Sequence, residues 1–317
     1  MSRGSMTTSY AIPNFSRGGI ASSLALLLIA AAALLSGCGS ALNDHATGRD
    51  AASDDSPRTA ADEQSTELRG KLTLTGSSTV APLAAEIAKR FETQHPEVRI
   101  DVQTGGSSRG IADALSGVAD LGMASRALTA DEEAQGLIGH KVAVDGVTIV
   151  VNARNPIEGL TKQQVVQLFT GEIANWSELG GADSEVVVVN KAEGRATLEV
   201  FLAHFELTNE DIRADVVVGD NQHGIKTVAG NPLAIGYVSI GAAQAEADLG
   251  TPIRLVPVDG VEPSATNVAS GAFQVTRSLL IVSSGEPAGL AAEFLNFARS
   301  DAVHDLVKAQ GFETAAQ

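Results

Sequence analysis

Cysteine, aromatic residues and positive charge are all scarce in this chain. One Cys among 317 residues rules out an intramolecular disulfide and any multi-thiolate zinc or iron–sulfur centre. Twelve aromatics, nine Phe, two Tyr and one Trp, fall mostly at helix-core spacing and leave few platforms on which a sugar or base could stack. The 22 Lys and Arg are outnumbered by 38 Asp and Glu, giving a formal charge of −16. That balance argues against a nucleic-acid binder, which carries a basic stripe. The six His form no i, i+4 pair and no cluster with carboxylates, so no metal or other cofactor is expected.

At 44% apolar residues the chain can bury a substantial core, and its length suits two domains. The first 37 residues stand apart. Arg3 and Arg17 precede an apolar run from Ile20 to Leu35, interrupted by Ser22 and Ser23, that leads into Leu35-Ser36-Gly37-Cys38. This is the layout of a secretory signal, and the run is shorter than the ~20 residues that span a bilayer comfortably. An uncleaved anchor is the plainer alternative. The segment before Cys38 resembles the bacterial lipobox, which implies that residues 1–37 are a lipoprotein signal and that a diacylated Cys38 holds the chain by its lipid on the extracytoplasmic side of a bacterial membrane. Residues 38–70 are Ala, Ser, Thr, Asp and Gly with almost no large apolar side chain, a composition that predicts a disordered tether. The remainder, 71–317, holds 17 basic and 31 acidic side chains and a charge of −14.

Within 71–317 short β-rich runs alternate with helical ones, the pattern of an α/β fold. Residues 71–75, 98–104, 120–124, 142–152, 186–190, 234–240 and 274–283 read as strands. Leu83, Ile87 and Phe91 mark one helical face, Ile111 and Leu115 a second. Val165, Leu168 and Phe169 mark a third behind a Thr161–Gln164 capping box. Leu198, Phe201, Leu202 and Phe205 follow, and two helices close the chain around Leu290, Phe294, Phe297 and around Val303, Leu306, Val307.

Three strand-to-helix junctions share one construction of small, hydroxyl-bearing residues: Gly76-Ser77-Ser78-Thr79, Gly105-Gly106-Ser107-Ser108-Arg109-Gly110, and Asn190-Lys191-Ala192-Glu193-Gly194-Arg195-Ala196-Thr197. A helix N-terminus presents free N–H groups and about half a positive charge, and hydroxyls add uncharged donors. Three such termini, converging, would cage a small anion. Ser and Thr are also the ordinary N-caps of any helix, and that simpler role stays open. Arg126 ends a strand after Ser125 and so faces the crevice of an open α/β sheet, unless a surface ion pair holds it. Gly106 to Gly110 also fits G-x-S-x-G, which makes Ser108 the nucleophile of an alternative serine hydrolase. Of the downstream histidines His140, His204, His223 and His304, two fall in helical patterns. No His-Gly loop precedes the motif to supply an oxyanion hole, so no enzyme is expected.

Six blocks occur in the order seen in phosphate-binding proteins of ABC transporters, which the chain resembles throughout 71–317. They are Gly76-Ser-Ser-Thr-Val-Ala-Pro-Leu83, Gly105-Gly-Ser-Ser-Arg-Gly-Ile111, Ala119-Asp-Leu-Gly-Met-Ala-Ser-Arg126, Val144-Asp-Gly-Val147, Leu168-Phe-Thr-Gly-Glu-Ile-Ala-Asn-Trp-Ser-Glu-Leu-Gly-Gly181 and Ala234-Ile-Gly-Tyr-Val-Ser239. The block from Phe169 to Trp176 is the most specific. The resemblance implies a two-lobed periplasmic-binding fold of type 2, with mixed sheets, flanking helices and crossing hinge strands. It places residues 71–146 plus 241–317 in lobe 1 and 147–240 in lobe 2. It implies a monomer that binds inorganic phosphate between the lobes and delivers it to the permease subunits of an ABC transporter. Positions matching the family's ligand contacts are Ser78, Thr79, Ser107, Ser125, Arg126, Lys191, Arg195 and Thr197.

The third loop departs from the family pattern. Where Gly-Ser-Gly-Thr-Arg is usual, this chain has Gly194-Arg195-Ala196-Thr197-Leu198, so the positive charge has moved three residues and another tetrahedral oxyanion becomes an alternative ligand. Phosphate near neutral pH still carries a proton, and a selective site needs a carboxylate to accept it. Asp145 and Glu193 are the candidates.

Overall fold

Alternating apolar residues build the strands, and their register joins them into one mixed sheet. The computed structural model describes residues 68–315; the signal, Cys38 and nearly all of the tether lie outside the described residues. In chain order the first elements are β1 (Gly70–Gly76), α1 (Ala81–Gln94), β2 (Val98–Thr104), α2 (Ser107–Leu115), β3 (Leu121–Ala124), α3 (Ala130–Ala134) and β4 (Leu137–Asn152). Next come α4 (Lys162–Thr170), β5 (Val187–Lys191), α5 (Ala196–Phe205), β6 (Val216–Val218), α6 (Asn221–Gly230) and β7 (Ala234–Ser239). The chain continues through α7 (Ile240–Asp248), β8 (Ile253–Val256), α8 (Ala265–Ala269), β9 (Thr276–Ser284), α9 (Gly289–Ala298), α10 (His304–Ala309) and β10 (Glu313–Thr314). The α/β class and every strand expected from the sequence are present. Strands β6, β8 and β10 carry too few residues to show a period, and the sequence reading passed over them.

The strands run in the order β2-β1-β3-β9-β4-β7-β5-β6, with β10 and β8 also paired to β4. Neighbours β1–β2, β1–β3, β5–β6 and β5–β7 are parallel. The 16-residue β4 belongs to both halves. Its residues 137–146 pair with β9 and 147–151 with β7. At the changeover a Cβ on Gly146 would stand 2.4 Å from Ile240 Cδ1, so a larger residue there would have to displace that side chain.

Two large cores flank this changeover. One gathers Leu74, Leu83, Ile87, Phe91, Met123, Leu279, Ile281, Phe294 and Val307, with Phe91 edge-on to Phe294 at 5.5 Å. The other gathers Ile149, Val151, Leu168, Phe169, Trp176, Phe201, Phe205, Tyr237, Val256 and Phe273. In it Phe201 and Tyr237 stack at 3.9 Å and 9°. Most helical faces anticipated from apolar spacing pack here; the exception is α2, where Ile111 joins a separate small cluster with Leu137, Leu280 and Val282 and Leu115 is exposed. Among the described residues no helix is long and apolar enough to cross a membrane.

One boundary differs from the sequence expectation. Residues 241–275 do not join the first core. β8 pairs with the second half of β4, and Val256, Val268, Phe273 and Val275 join the second core. The physical reason is that this half of β4, apolar and central, needs a partner along both edges: β7 takes one and β8 the other. The chain returns to the first half of the sheet only at β9.

The most distinctive sequence block turns out to be structural. Thr161 and Gln164 make the reciprocal cap expected of them, at 3.1 and 2.8 Å. Gly171 ends α4 at φ 77°, a left-handed conformation suited to glycine. Trp176 is buried, and its Nε1 donates to the Leu233 carbonyl at 2.9 Å.

Candidate anion site

Four helix starts meet at a narrow cavity. Ser77 to Thr79 lead into α1, Gly106 and Ser107 into α2, Arg195 to Thr197 into α5, and Asp220 and Asn221 into α6; Ser125 and Lys191 complete the lining. Strand order explains the convergence. β1, β2, β5 and β6 lead into the four helix starts and β3 ends at Ser125, so all five deliver their carboxyl ends to this crevice, the position where open α/β sheets hold ligands. The fourth start was not anticipated, because Gly219-Asp220-Asn221 looks like an ordinary cap. Asp220 does cap α6, its Oδ1 accepting from His223 N–H at 2.7 Å.

The other hydroxyls do not cap their own helices. Ser77, one residue before the predicted pair, accepts from the N–H groups of Thr79 and Val80 at 3.2 and 3.3 Å. Neither α2 nor α5 has a side-chain cap. Ser107 Oγ instead accepts from Ser125 N–H at 3.0 Å. Thr79 Oγ1 accepts from Asn221 Nδ2 at 3.0 Å and from Arg277 Nη2 at 3.2 Å. With both lone pairs used, the Thr79 O–H is left to donate.

Arg277, on β9, is the residue sequence reasoning missed. Buried to 4% exposure, it donates through Nη1 to Thr197 Oγ1 at 2.8 Å and to Ser125 Oγ at 3.4 Å. Its Nε and Nη2 donate to Asp145 Oδ2 at 3.0 and 2.8 Å. One guanidinium thereby sets three hydroxyls from three different loops. Asp145 and Arg277 are direct cross-strand partners of β4 and β9, and the second carboxylate oxygen, Oδ1, is buried with no partner. The signal was present in the alternation Val275, Arg277, Leu279, Ile281: a lone charge on an inward face requires an opposite charge.

Lys191 is buried, lines the cavity, and donates from Nζ to the Asp220 carbonyl at 2.6 Å. Its own N–H donates to the Tyr237 hydroxyl at 3.3 Å, and that hydroxyl donates to Asn190 Oδ1 at 2.5 Å. The Phe201–Tyr237 stack of the core therefore fixes the end of β5. Arg195 also lines the cavity. Gly106 adopts φ 97°, and a Cβ there would meet Gly194 O at 3.0 Å and Arg195 Cδ at 3.2 Å, so the two loops touch only because that position has no side chain.

Two expected contributors sit elsewhere. Arg126 is absent from the lining. It makes a bidentate pair with Glu132 at 2.8 Å through both Nη atoms, and Nε approaches Glu199 Oε2 to 2.6 Å off the hydrogen-bond axis. The Glu132 hydrogen bonds outweigh desolvation and raise the Arg126 pKa further, while Arg126 holds Glu132 below its ordinary range. Glu193 is exposed and accepts from Asn209 at 3.2 Å, which leaves Asp145 as the remaining acceptor candidate, outside the lining and linked to it through Arg277. Ser108, the nucleophile of the hydrolase alternative, donates to Glu199 Oε1 at 3.4 Å, while His140 pairs with Ser283.

Glu199 on α5 thus receives Arg126 and Ser108, both from the other side of the cleft. Part-exposed pairs of this kind are worth about 1 kcal/mol or less. Glu199→Ala is expected to weaken anion binding by roughly fivefold and leave the melting temperature nearly unchanged, as read by calorimetric titration and thermal unfolding. An unchanged affinity would show that closure does not use this contact.

An open mixed sheet with a polar cavity between two packed halves defines a solute-binding fold of the periplasmic-binding type, and a PBP superfamily domain matches residues 61–302. The chain is 31% identical to the phosphate-binding protein PstS of Bacillus subtilis over 247 residues, 77% of this chain and 80% of the relative. It is also similar to a phosphate ABC transporter substrate-binding protein of Clostridium perfringens solved with bound phosphate, at 31% identity and TM-score 0.73, over 78% of this chain and all of that one. An ABC-type phosphate transport receptor from Vibrio cholerae matches at 31% identity and TM-score 0.64, over 77% of this chain and all of that one. The chain belongs to the PstS family of phosphate-binding proteins.

Proposed function

We propose that this protein captures inorganic phosphate in the cavity and delivers it to the permease of an ABC transporter, without chemical conversion of its ligand. The observation that carries the reading is the donor set. Four helix starts, three hydroxyls tied to Arg277, and the cations Lys191 and Arg195 all serve one cavity, and behind it, on the far side of Arg277, the buried Asp145 Oδ1 lacks a donor. Charge-assisted hydrogen bonds of this kind are roughly twice as strong as neutral ones. The orphaned Asp145 Oδ1 is suited to take the proton that phosphate retains and sulfate lacks. Ser78, Thr79, Ser107, Ser125, Lys191, Arg195 and Thr197 are the proposed contacts, with Arg277 and Asp145 added and Arg126 reassigned to clasping the lobes.

Lobe 1 is proposed as residues 71–146 and 276–317, lobe 2 as 147–275, with closure favoured by ligand. A lipid on Cys38 would hold the receptor at the membrane, with residues 38–70 giving it reach. The charge of −14 on the folded part is no obstacle, because the Debye length at physiological salt is about 8 Å and distant carboxylates are screened. Calorimetric titration with phosphate, arsenate, sulfate and molybdate at pH 6 and 8 tests the reading. Heat with phosphate and arsenate and none with sulfate is expected; no phosphate heat at millimolar concentration would overturn it.

A further inference from the structure

We infer that Lys191 is the titratable member of the anion cage and that the protein takes up a proton at this side chain as it closes on its ligand, an inference that rests on the oxyanion reading above. Lys191 is 3% exposed, and its Nζ would stand 2.9 Å from a Cβ at Gly224, so α6 lies directly against it. The Asp220 carbonyl at 2.6 Å accepts one of its hydrogens, leaving the others for the cavity that it lines.

Charged and titratable groups face Lys191 from every neighbouring element. From α6 comes the Asp220 carboxylate, already engaged by His223 N–H. From β9 comes Arg277, paired with Asp145 of β4. Arg195 approaches from the loop before α5, and β7 contributes the Tyr237 hydroxyl, whose pKa burial raises well beyond neutral. Burial is the largest influence on the ammonium, and although Asp220 works against it, Arg277 and Arg195 add to it; together they push Lys191 down to about 7.

The two guanidiniums cannot shed their charge, whereas a buried lysine can. In the empty cavity the ammonium is therefore the cation that yields. An oxyanion within hydrogen-bond reach supplies the missing counter-charge and restores it. The bound form then holds more protons than the empty one, so affinity falls as pH rises above 7, by up to about tenfold per unit. Below pH 7 Lys191 is charged in both forms and contributes no slope.

Calorimetric titration of the full-length protein with phosphate at pH 6, 7.5 and 9, in two buffers of different ionisation heat, measures both affinity and protons exchanged. Comparison with Lys191→Met removes the phosphate's own titration. Wild type should take up more protons per phosphate than Lys191→Met at pH 7.5 and 9, and its affinity advantage over the variant should be largest at pH 6 and shrink from pH 7.5 to pH 9. Parallel pH profiles or equal proton uptake would overturn the inference and leave the receptor reading standing. Absence of phosphate heat in wild type at every pH would overturn the receptor reading itself. NMR of the lysine side chains in the wild-type protein gives a check that needs no variant. One resonance should titrate near pH 7 when empty and stay protonated to higher pH with phosphate; no such resonance would also overturn the inference.

Discussion

Replacing Arg277 with methionine is expected to abolish measurable anion binding and to destabilise the empty protein by about 3–5 kcal/mol, the usual consequence of leaving one half of a buried ion pair. Both members of this pair are almost wholly excluded from solvent, so water cannot replace the lost partner. Asp145 would keep two unpartnered oxygens instead of one. Thr79, Thr197 and Ser125 would lose the one group that orients all three. For a domain of this size the melting temperature should fall by roughly 10 °C. The double variant Arg277→Met, Asp145→Leu separates the two effects. Removing both charges should restore most of the stability, because apolar replacements of buried pairs are often neutral, while binding should stay lost. Recovery of binding in the double variant would show that the pair serves the fold and not the ligand.

Replacing Asp145 with asparagine is expected to change which anion the protein prefers. One amide oxygen can still accept from Arg277, but the atom at Oδ1 becomes an N–H₂ donor. A donor there has nothing to offer the proton of phosphate and something to offer a fully ionised oxyanion. Hydrogen bonds to charged groups are worth about 1.5–3 kcal/mol, so phosphate affinity should drop by roughly 10- to 100-fold while sulfate affinity rises. Titration of both anions against wild type and variant reads the ratio directly. An unchanged phosphate-to-sulfate ratio would remove Asp145 from recognition and confine it to holding Arg277.

The parts of this site that were legible in the sequence are those built from consecutive residues. Gly76 to Thr79, Gly105 to Ser107 and Lys191 to Thr197 each announce a strand end, a turn and a helix start within a few positions, and all three reach the cavity. What spacing could not show is which job each hydroxyl performs. Ser and Thr next to a helix start invite an N-cap reading, yet Thr79, Ser107 and Thr197 give their oxygens to Arg277, Asn221 and Ser125. Arg277 itself sits alone in an apolar strand with no local motif, and its meaning depends on Asp145 of a different strand. Arg126 failed in the opposite way. Its position after a strand was informative, but Glu132 and Glu199, six and seventy-three positions on, decide where its charge goes. The α/β alternation in 71–317 was legible, whereas the pairing of β8 with β4 was not, because a four-residue strand carries no period.

The same long-range pairings set the order in which this protein can become a receptor. Thr79 meets Arg277 across 198 positions and Asp145 meets it across 132. A chain emerging from its N-terminus can complete β1, β2 and β3 early, but the antiparallel neighbour of β3 is β9. Until β9 arrives, β3 and the first half of β4 each present an open edge, and Asp145 has no cation. Such distant pairing slows folding and leaves strand edges available to other chains in the interval. Ligand capture therefore begins only after almost the whole chain is in place, and a product truncated before residue 277 competes for no anion.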